Sequence, residues 1–229
     1  MQVYAVRKFR MIIPIFQHNI YKYKVNPLTF DKNKIISTIE KNFKKKYFRN
    51  KFDDSYPSES KIHHSLFDND NKDFNEPNYS SLEKEYKKIF HNFISEIKFK
   101  PNTVLKYNFK IMSYTCTNKD HFMKKHYHLP SDFSCIHYLQ YDEEHSPTLF
   151  YNPSEKTGRY LQSFKNKYYK SLDFNHEENL GISVFYENAF MEDDIIIFPG
   201  YLEHEIPISK KLYKRNRITI VTNINIEIQ

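Results

Sequence analysis

Apolar residues recur in two registers along this chain. Between residues 31 and 48, Ile35, Ile36, Ile39, Phe43 and Tyr47 fall three or four apart with lysines between them, which predicts an amphipathic helix. Asp31 stands at its N-cap position, and Lys44-Lys45-Lys46 lies where a helix C-terminus favours cations. A second helix is predicted after Ser80-Ser81-Leu82-Glu83, a capping-box pattern. Its apolar face carries Tyr86, Ile89, Phe90, Phe93, Ile94 and Ile97, and it should stop before Pro101. From residue 103 the character changes. Segments rich in Ile, Val, Tyr, Phe and Thr at 103–115, 134–141, 148–151, 182–186, 194–199 and 218–228 are bounded by Asn, Asp, Pro and Gly. These read as the short strands of a sandwich or barrel. Residues 1–30 read as one or two edge strands, because Pro14 and Pro27 forbid a long regular element. Helices first and strands after make an α+β arrangement, with N-terminal helices packed on one sheet. The polar stretch 49–79 reads as a loop with His63-His64 in its middle, a solvated pair rather than ligands.

Composition narrows this picture. The 229 residues fit one domain: residues 1–100 as helical support, and 101–229 as the β core. Hydrophobic residues make up only 39%, but Phe 20 and Tyr 19 supply large buried areas, which excludes wholesale disorder. No apolar run approaches 18 residues, so no membrane helix is expected. Cys116 and Cys135 are too few for a disulfide framework or a cysteine zinc site, and a reducing, cytoplasmic location fits. The net charge of +7 admits a nucleic-acid partner. Three glycines, no tryptophan and abundant Lys, Asn, Ile, Tyr and Phe look like AT-rich coding, however, which explains the lysine excess more simply. The basic run 41–51 reads as a solvated face, and Glu192-Asp193-Asp194 as the turn before a strand.

Two histidine-bearing segments carry candidate chemistry. His126-Tyr127-His128 precedes a strand, and residues two apart on an extended segment point the same way. His204 follows the apolar strand Ile195-Ile196-Ile197-Phe198 and the turn Pro199-Gly200. Three neutral imidazoles converging from two strands suit zinc or iron. Spacing alone leaves this open against the commoner core and surface roles of histidine. Arg217 and Thr219 alternate with Ile218 and Ile220 on a predicted strand. A guanidinium inside a barrel is costly unless it meets an anion, and its fork suits a carboxylate. An edge strand with Arg217 in water fits the pattern equally well. His137 should point opposite to Tyr138, away from any ligand set, and Cys135 reads as a small packed residue.

These segments together resemble the Fe(II)/2-oxoglutarate-dependent oxygenases. His126-Tyr127-His128-Leu129-Pro130, continued by Ser134-Cys135-Ile136-His137-Tyr138-Leu139, is close to the HxHP…SGvyYl pattern of an oxygenase branch found in bacteria and phages. Leu149-Phe150-Tyr151-Asn152-Pro153 resembles that branch's L-x-F-x-x-P segment. Phe198-Pro199-Gly200-Tyr201-Leu202-Glu203-His204-Glu205-Ile206 resembles FPsxLxHxV, and Arg217-Ile218-Thr219-Ile220-Val221-Thr222-Asn223 resembles RiSiSFN. His137-Tyr138-Leu139-Gln140 is similar to the YYLN strand of the prolyl hydroxylases. The resemblance spans residues 103–226 in order, and the first hundred residues match nothing.

The resemblance implies a double-stranded β-helix, the jelly-roll barrel of the cupins, as the catalytic core. It implies Fe(II), 2-oxoglutarate and O2, with decarboxylation to succinate and CO2 coupled to oxidation of a small-molecule or polypeptide substrate, hydroxylation being the default. His126 and His204 map onto the family's metal histidines. Arg217 and Thr219 map onto the residues that grip the distal carboxylate of 2-oxoglutarate, and Tyr138 maps onto a strand tyrosine that also reaches it. Tyr114 is a weaker candidate for lining the pocket. The family has Asp or Glu where this chain has His128. Either His128 ligates, or Asp132 swings in as the carboxylate, or the site binds metal weakly. The rival reading is a non-catalytic jelly-roll, a binding or phage structural module.

Overall fold

The computed structural model describes residues 18–45, 62–65, 74–153, 185–187 and 190–228. The expected edge strand around Met11–Phe16, most of the loop 49–79 and nearly all of the loop 152–181 lie outside these residues. In chain order the elements are β1 (Tyr21–Lys24), α1 (Lys32–Lys44), β2 (His63–His64), α2 (Ser80–Glu96), β3 (Leu105–Thr117), β4 (Met123–His126), β5 (Phe133–Gln140), β6 (Leu149–Tyr151), β7 (Phe185–Glu187), β8 (Asp194–Pro199), β9 (His204–Ile206) and β10 (Arg217–Ile228). Every strand pair is antiparallel. The larger sheet runs β1-β8-β5-β10-β3-β2 and the smaller β4-β9-β6-β7. The architecture is α+β, a jelly-roll double-stranded β-helix with helices on one sheet.

Strict alternation divides the larger sheet into two working faces. Cys135 and Leu139 of β5, Ile195 and Ile197 of β8, and Ile218 and Ile220 of β10 join the helices in one buried cluster. Ile35 and Ile39 of α1 and Leu82, Tyr86, Phe90 and Phe93 of α2 supply the other half of that cluster. The intervening residues Ile136, Tyr138, Ile196 and Phe198 pack instead with Phe150, Phe190 and Leu202. On β3 an extra residue interrupts the pairing with β10, where Val221 faces Ser113 and Thr222 faces Ile111. That bulge shifts the alternation, so Ser113 and Thr115 line the same cavity as Lys110 and Asn108.

The helix ends differ in detail from the expected caps. Asp31 is the N-cap residue of α1, as expected, but makes no side-chain cap bond, and α1 closes at Lys44. The capping box of α2 does not form. Asn78 Oδ1 instead accepts from the Ser80 N–H at 3.0 Å, a short Asx turn that serves the same orphan donor. The acidic turn before β8 also ties down α1: Lys32 Nζ meets Glu192 at 2.8 Å and Asp193 at 2.7 Å.

The largest revision concerns His63-His64. The pair is buried rather than solvated, and forms β2 at the edge of the larger sheet, with His63 opposite Cys116 and His64 opposite Thr115. No local sequence signal marks a two-residue strand, because its stability comes entirely from long-range pairing.

Phe90 is fully buried between α2 and the sheet. Phe90→Ala should therefore cost about 3–5 kcal/mol, read as a fall in the urea midpoint with little change in slope.

Candidate metal centre

The smaller sheet brings two of the sequence-predicted histidines face to face. His126 ends β4, His204 begins β9, and the two are direct register partners. Their ring centroids stand 4.3 Å apart. His128 lies past the strand end and is positioned by the main chain. Its N–H donates to the Gly200 carbonyl at 2.7 Å, and the Gly200 N–H donates to the Asp132 carbonyl at 2.9 Å. This approach is too close for any side chain: a Cβ on Gly200 would lie 2.0 Å from the Ser131 carbonyl oxygen. Glycine here is a requirement of contact, not of dihedral angle.

The three histidines offer donor atoms that all lie within 4.8 Å of one another. Metal–nitrogen bonds of about 2.1 Å put two donors on one ion no more than about 4.2 Å apart, so small ring rotations close the set. Tautomers are prepared for this. His126 Nδ1 donates to the Lys124 carbonyl at 2.8 Å and His204 Nδ1 to the Leu202 carbonyl at 3.0 Å. A carbonyl only accepts, so the proton sits on Nδ1 and the lone pair on Nε2. His128 Nε2 is buried with no hydrogen-bond partner among the described residues. Burial pushes the pKa of each ring down, that of His128 to about 3, and that of His204 well below the ordinary range with the other two rings adding to it. All three are neutral at pH 7, as ligation demands.

Arg217 lines the same cavity of about 510 Å³, whose wall also includes Thr148, Thr219, Thr115 and Ile136. Its side chain is fully buried. Nη2 donates to Thr148 Oγ1 at 2.9 Å, and the Tyr138 hydroxyl donates to the same oxygen at 2.9 Å. Nε and Nη1 have no acceptor among the described residues. The Tyr138 and Tyr141 rings lie 5.5 and 5.7 Å from the guanidinium carbon, within cation–π range. Thr219 Oγ1 meets Thr115 Oγ1 at 2.6 Å.

Two other predicted residues lie elsewhere. Asp132 is exposed and does not join the histidines; its Oδ2 accepts from the Ile226 N–H at 2.7 Å. Tyr114 faces the helices, not the pocket, and its hydroxyl meets Asn42 Nδ2 and His63 Nε2 at 3.0 Å each. His137 also points to the helix side, where Nδ1 meets the Tyr86 hydroxyl at 2.8 Å. Three residues of the site escaped sequence reasoning: Thr148, and Asn223 and His64 in the cavity wall. Thr148 was legible in part, since it lies two residues before Phe150, at the start of the predicted strand 148–151, and Phe150 packs inward. His64 gave no local sign.

No protein-family model matches the chain, and no curated protein matches it in sequence. Among solved structures it is similar to a Pseudomonas putida prolyl-4-hydroxylase, at 8% identity over 91% of this chain and 93% of that one, with a TM-score of 0.47. It is also similar to a Trichoplax adhaerens prolyl hydroxylase in complex with a hypoxia inducible factor oxygen degradation domain peptide fragment, at 12% identity, 90% and 83% coverage and a TM-score of 0.48. A third is iron-bound HygX from Streptomyces hygroscopicus, at 9% identity, 91% and 82% coverage and a TM-score of 0.42. With scores this low, the site's own geometry carries its reading. Among the described residues no helix is long and apolar enough to cross a membrane.

Two outcomes follow. Gly200→Ala should lower metal affinity at least tenfold by displacing the loop that carries His128, checked by competition with a chromophoric chelator. The metal-free protein should also lose stability in acid. Below the ordinary histidine pKa of 6.5, the unfolded chain protonates imidazoles that the fold keeps neutral, as deep as about pH 3 for His64 and His128. The unfolded state then binds more protons, so stability falls as pH drops, by up to about 1.4 kcal/mol per pH unit for each such ring. Urea midpoints from pH 7 to 5 test this, and a flat profile would contradict it.

Proposed function

We propose that this chain is an Fe(II)/2-oxoglutarate-dependent oxygenase, with hydroxylation of a small-molecule or polypeptide substrate as its reaction. One observation carries the reading: a fully buried guanidinium with two unspent nitrogens closes a cavity that three convergent imidazoles also line. Buried charges are paired or they are costly, so this pocket calls for an anion, and the geometry of the fork favours a carboxylate. A dicarboxylic acid that reaches from Arg217 to the histidines satisfies both ends.

The residues divide the work. His126, His128 and His204 hold the metal through neutral nitrogens. When bound, Fe(II) supplies the O2 and one-electron chemistry that couples 2-oxoglutarate decarboxylation to substrate oxidation. Arg217 Nε and Nη1 hold the distal carboxylate. Thr148 accepts from both Arg217 and Tyr138 and keeps those donors aimed, and the tyrosine faces and Thr219 close the pocket against water. A third histidine in place of an acid leaves the site with one more positive charge than a two-histidine, one-carboxylate face, which favours Fe(II) over Fe(III). Asn108, Lys110, Asn223 and Asn225 give the cavity a polar wall beyond the histidines.

Anaerobic addition of Fe(II) and 2-oxoglutarate should produce a visible metal-to-ligand charge-transfer band. Arg217→Gln should retain metal binding but weaken 2-oxoglutarate about 100-fold, the effect of removing a charged partner worth about 3 kcal/mol. His126→Ala and His204→Ala should abolish the band. A folded, iron-loaded protein without the band would leave a metal-binding jelly-roll without this activity.

A further inference from the structure

His64 lies outside every motif that marks the metal centre, yet it is held against it from two sides. On the helix side, His63 Nε2 meets the Tyr114 hydroxyl at 3.0 Å, and Asn42 Nδ2 donates to that hydroxyl at 3.0 Å. Ser65 Oγ accepts from the Tyr114 N–H at 2.9 Å. On the other side Ile62, two residues before His64, is buried against Met123 and Ile206. Those two are register partners on β4 and β9, the strands that carry His126 and His204. The β2 segment therefore bridges the two sheets beside the metal ladder.

His64 pairs with Thr115, and both line the cavity. The residue is 8% exposed, and Nε2 stands 3.3 Å from Ser113 Oγ. His126 and His128 line the same cavity. It is nevertheless not among the donors gathered within 4.8 Å of one another. A neutral imidazole offers one N–H and one lone pair. Placed in the wall of a metal cavity but outside ligand distance, it can steady what the metal holds without joining the coordination.

We propose that His64 is a distal imidazole, a hydrogen-bonding partner for a small exogenous ligand on the metal held by His126, His128 and His204. Such donors around an open coordination position govern which small ligands stay bound. The inference rests on the metal reading of the three histidines and not on the cosubstrate reading of Arg217.

The test is azide titration of the Co(II)-loaded full chain, followed by visible absorption, in the wild type, H64L and H64Q. Co(II) affinity should stay within about twofold in both variants. The azide dissociation constant should rise about tenfold in H64L, equivalent to about 1.4 kcal/mol. H64Q, which keeps an N–H on a chain of similar reach, should recover part of the loss. If H64L does not fold, H64F, which fills the space of the ring, replaces it. Equal azide affinity in wild type and apolar variant overturns the proposal. So does a change in the azide-free Co(II) spectrum of H64L, which would make His64 a ligand. Failure of the wild type to take up Co(II) overturns both this and the metal reading. Azide binding that depends on His64, with no response to 2-oxoglutarate, supports the proposal and removes the oxygenase reading.

Discussion

A cation sealed away from water without its counter-charge is the constraint around which this molecule is arranged. The Arg217 guanidinium is fully buried, and only Nη2 has a protein acceptor among the described residues. Desolvating an ion costs several kcal/mol even after relaxation, and one neutral hydroxyl with two aromatic faces offsets only part of that. The barrel tolerates it because the rest of β10 is well placed. Ile218 and Ile220 fill the helix-side core while Arg217 and Thr219 turn inward. Unpaired donors therefore gather around Arg217, and acceptor-rich anions are the occupants that fit them.

Most of the fold was legible because its signals are local. The 3.6-residue period of α2 named Tyr86, Ile89, Phe90, Phe93 and Ile94 of its buried face but not Leu82, and it included Ile97, which lies half-buried just past the helix. The alternation in β5 and β10 separated helix-facing from cavity-facing positions. What escaped depends on distance. Nothing within a few residues of His63-His64 says that a dipeptide will pair with Cys116 and Thr115, fifty positions away. The polar surroundings argued for water, and the pairing with β3 overrode them. The capping box of α2 failed for a local reason: the helix begins at Ser80 with Tyr79 as its N-cap, and Asn78 Oδ1 takes the Ser80 N–H.

The site divides in the same way. His126, His128, His204, Tyr138, Arg217 and Thr219 all lie on segments whose alternation could be read, and the structure brings all but Tyr138 to one cavity wall, with Tyr138 joined to it through Thr148. Asp132 and Tyr114 were candidates by sequence proximity and strand position. Proximity did not decide for Asp132, because a backbone N–H of β10 claims its carboxylate. Position did not decide for Tyr114, because the bulge and the parity of β3 turn it to the helices.

The contact between Gly200 and the loop of residues 128–132 has a consequence for how such a centre can change over evolutionary time. Main-chain bonds, not side-chain preferences, locate the third donor: its amide rests on the strand-end turn that leads to the second. Whatever residue stands at position 128 inherits an address beside His126 and His204. The chemical identity of that side chain, and with it the charge of the cluster, is thereby free to drift by single substitutions without rebuilding the scaffold.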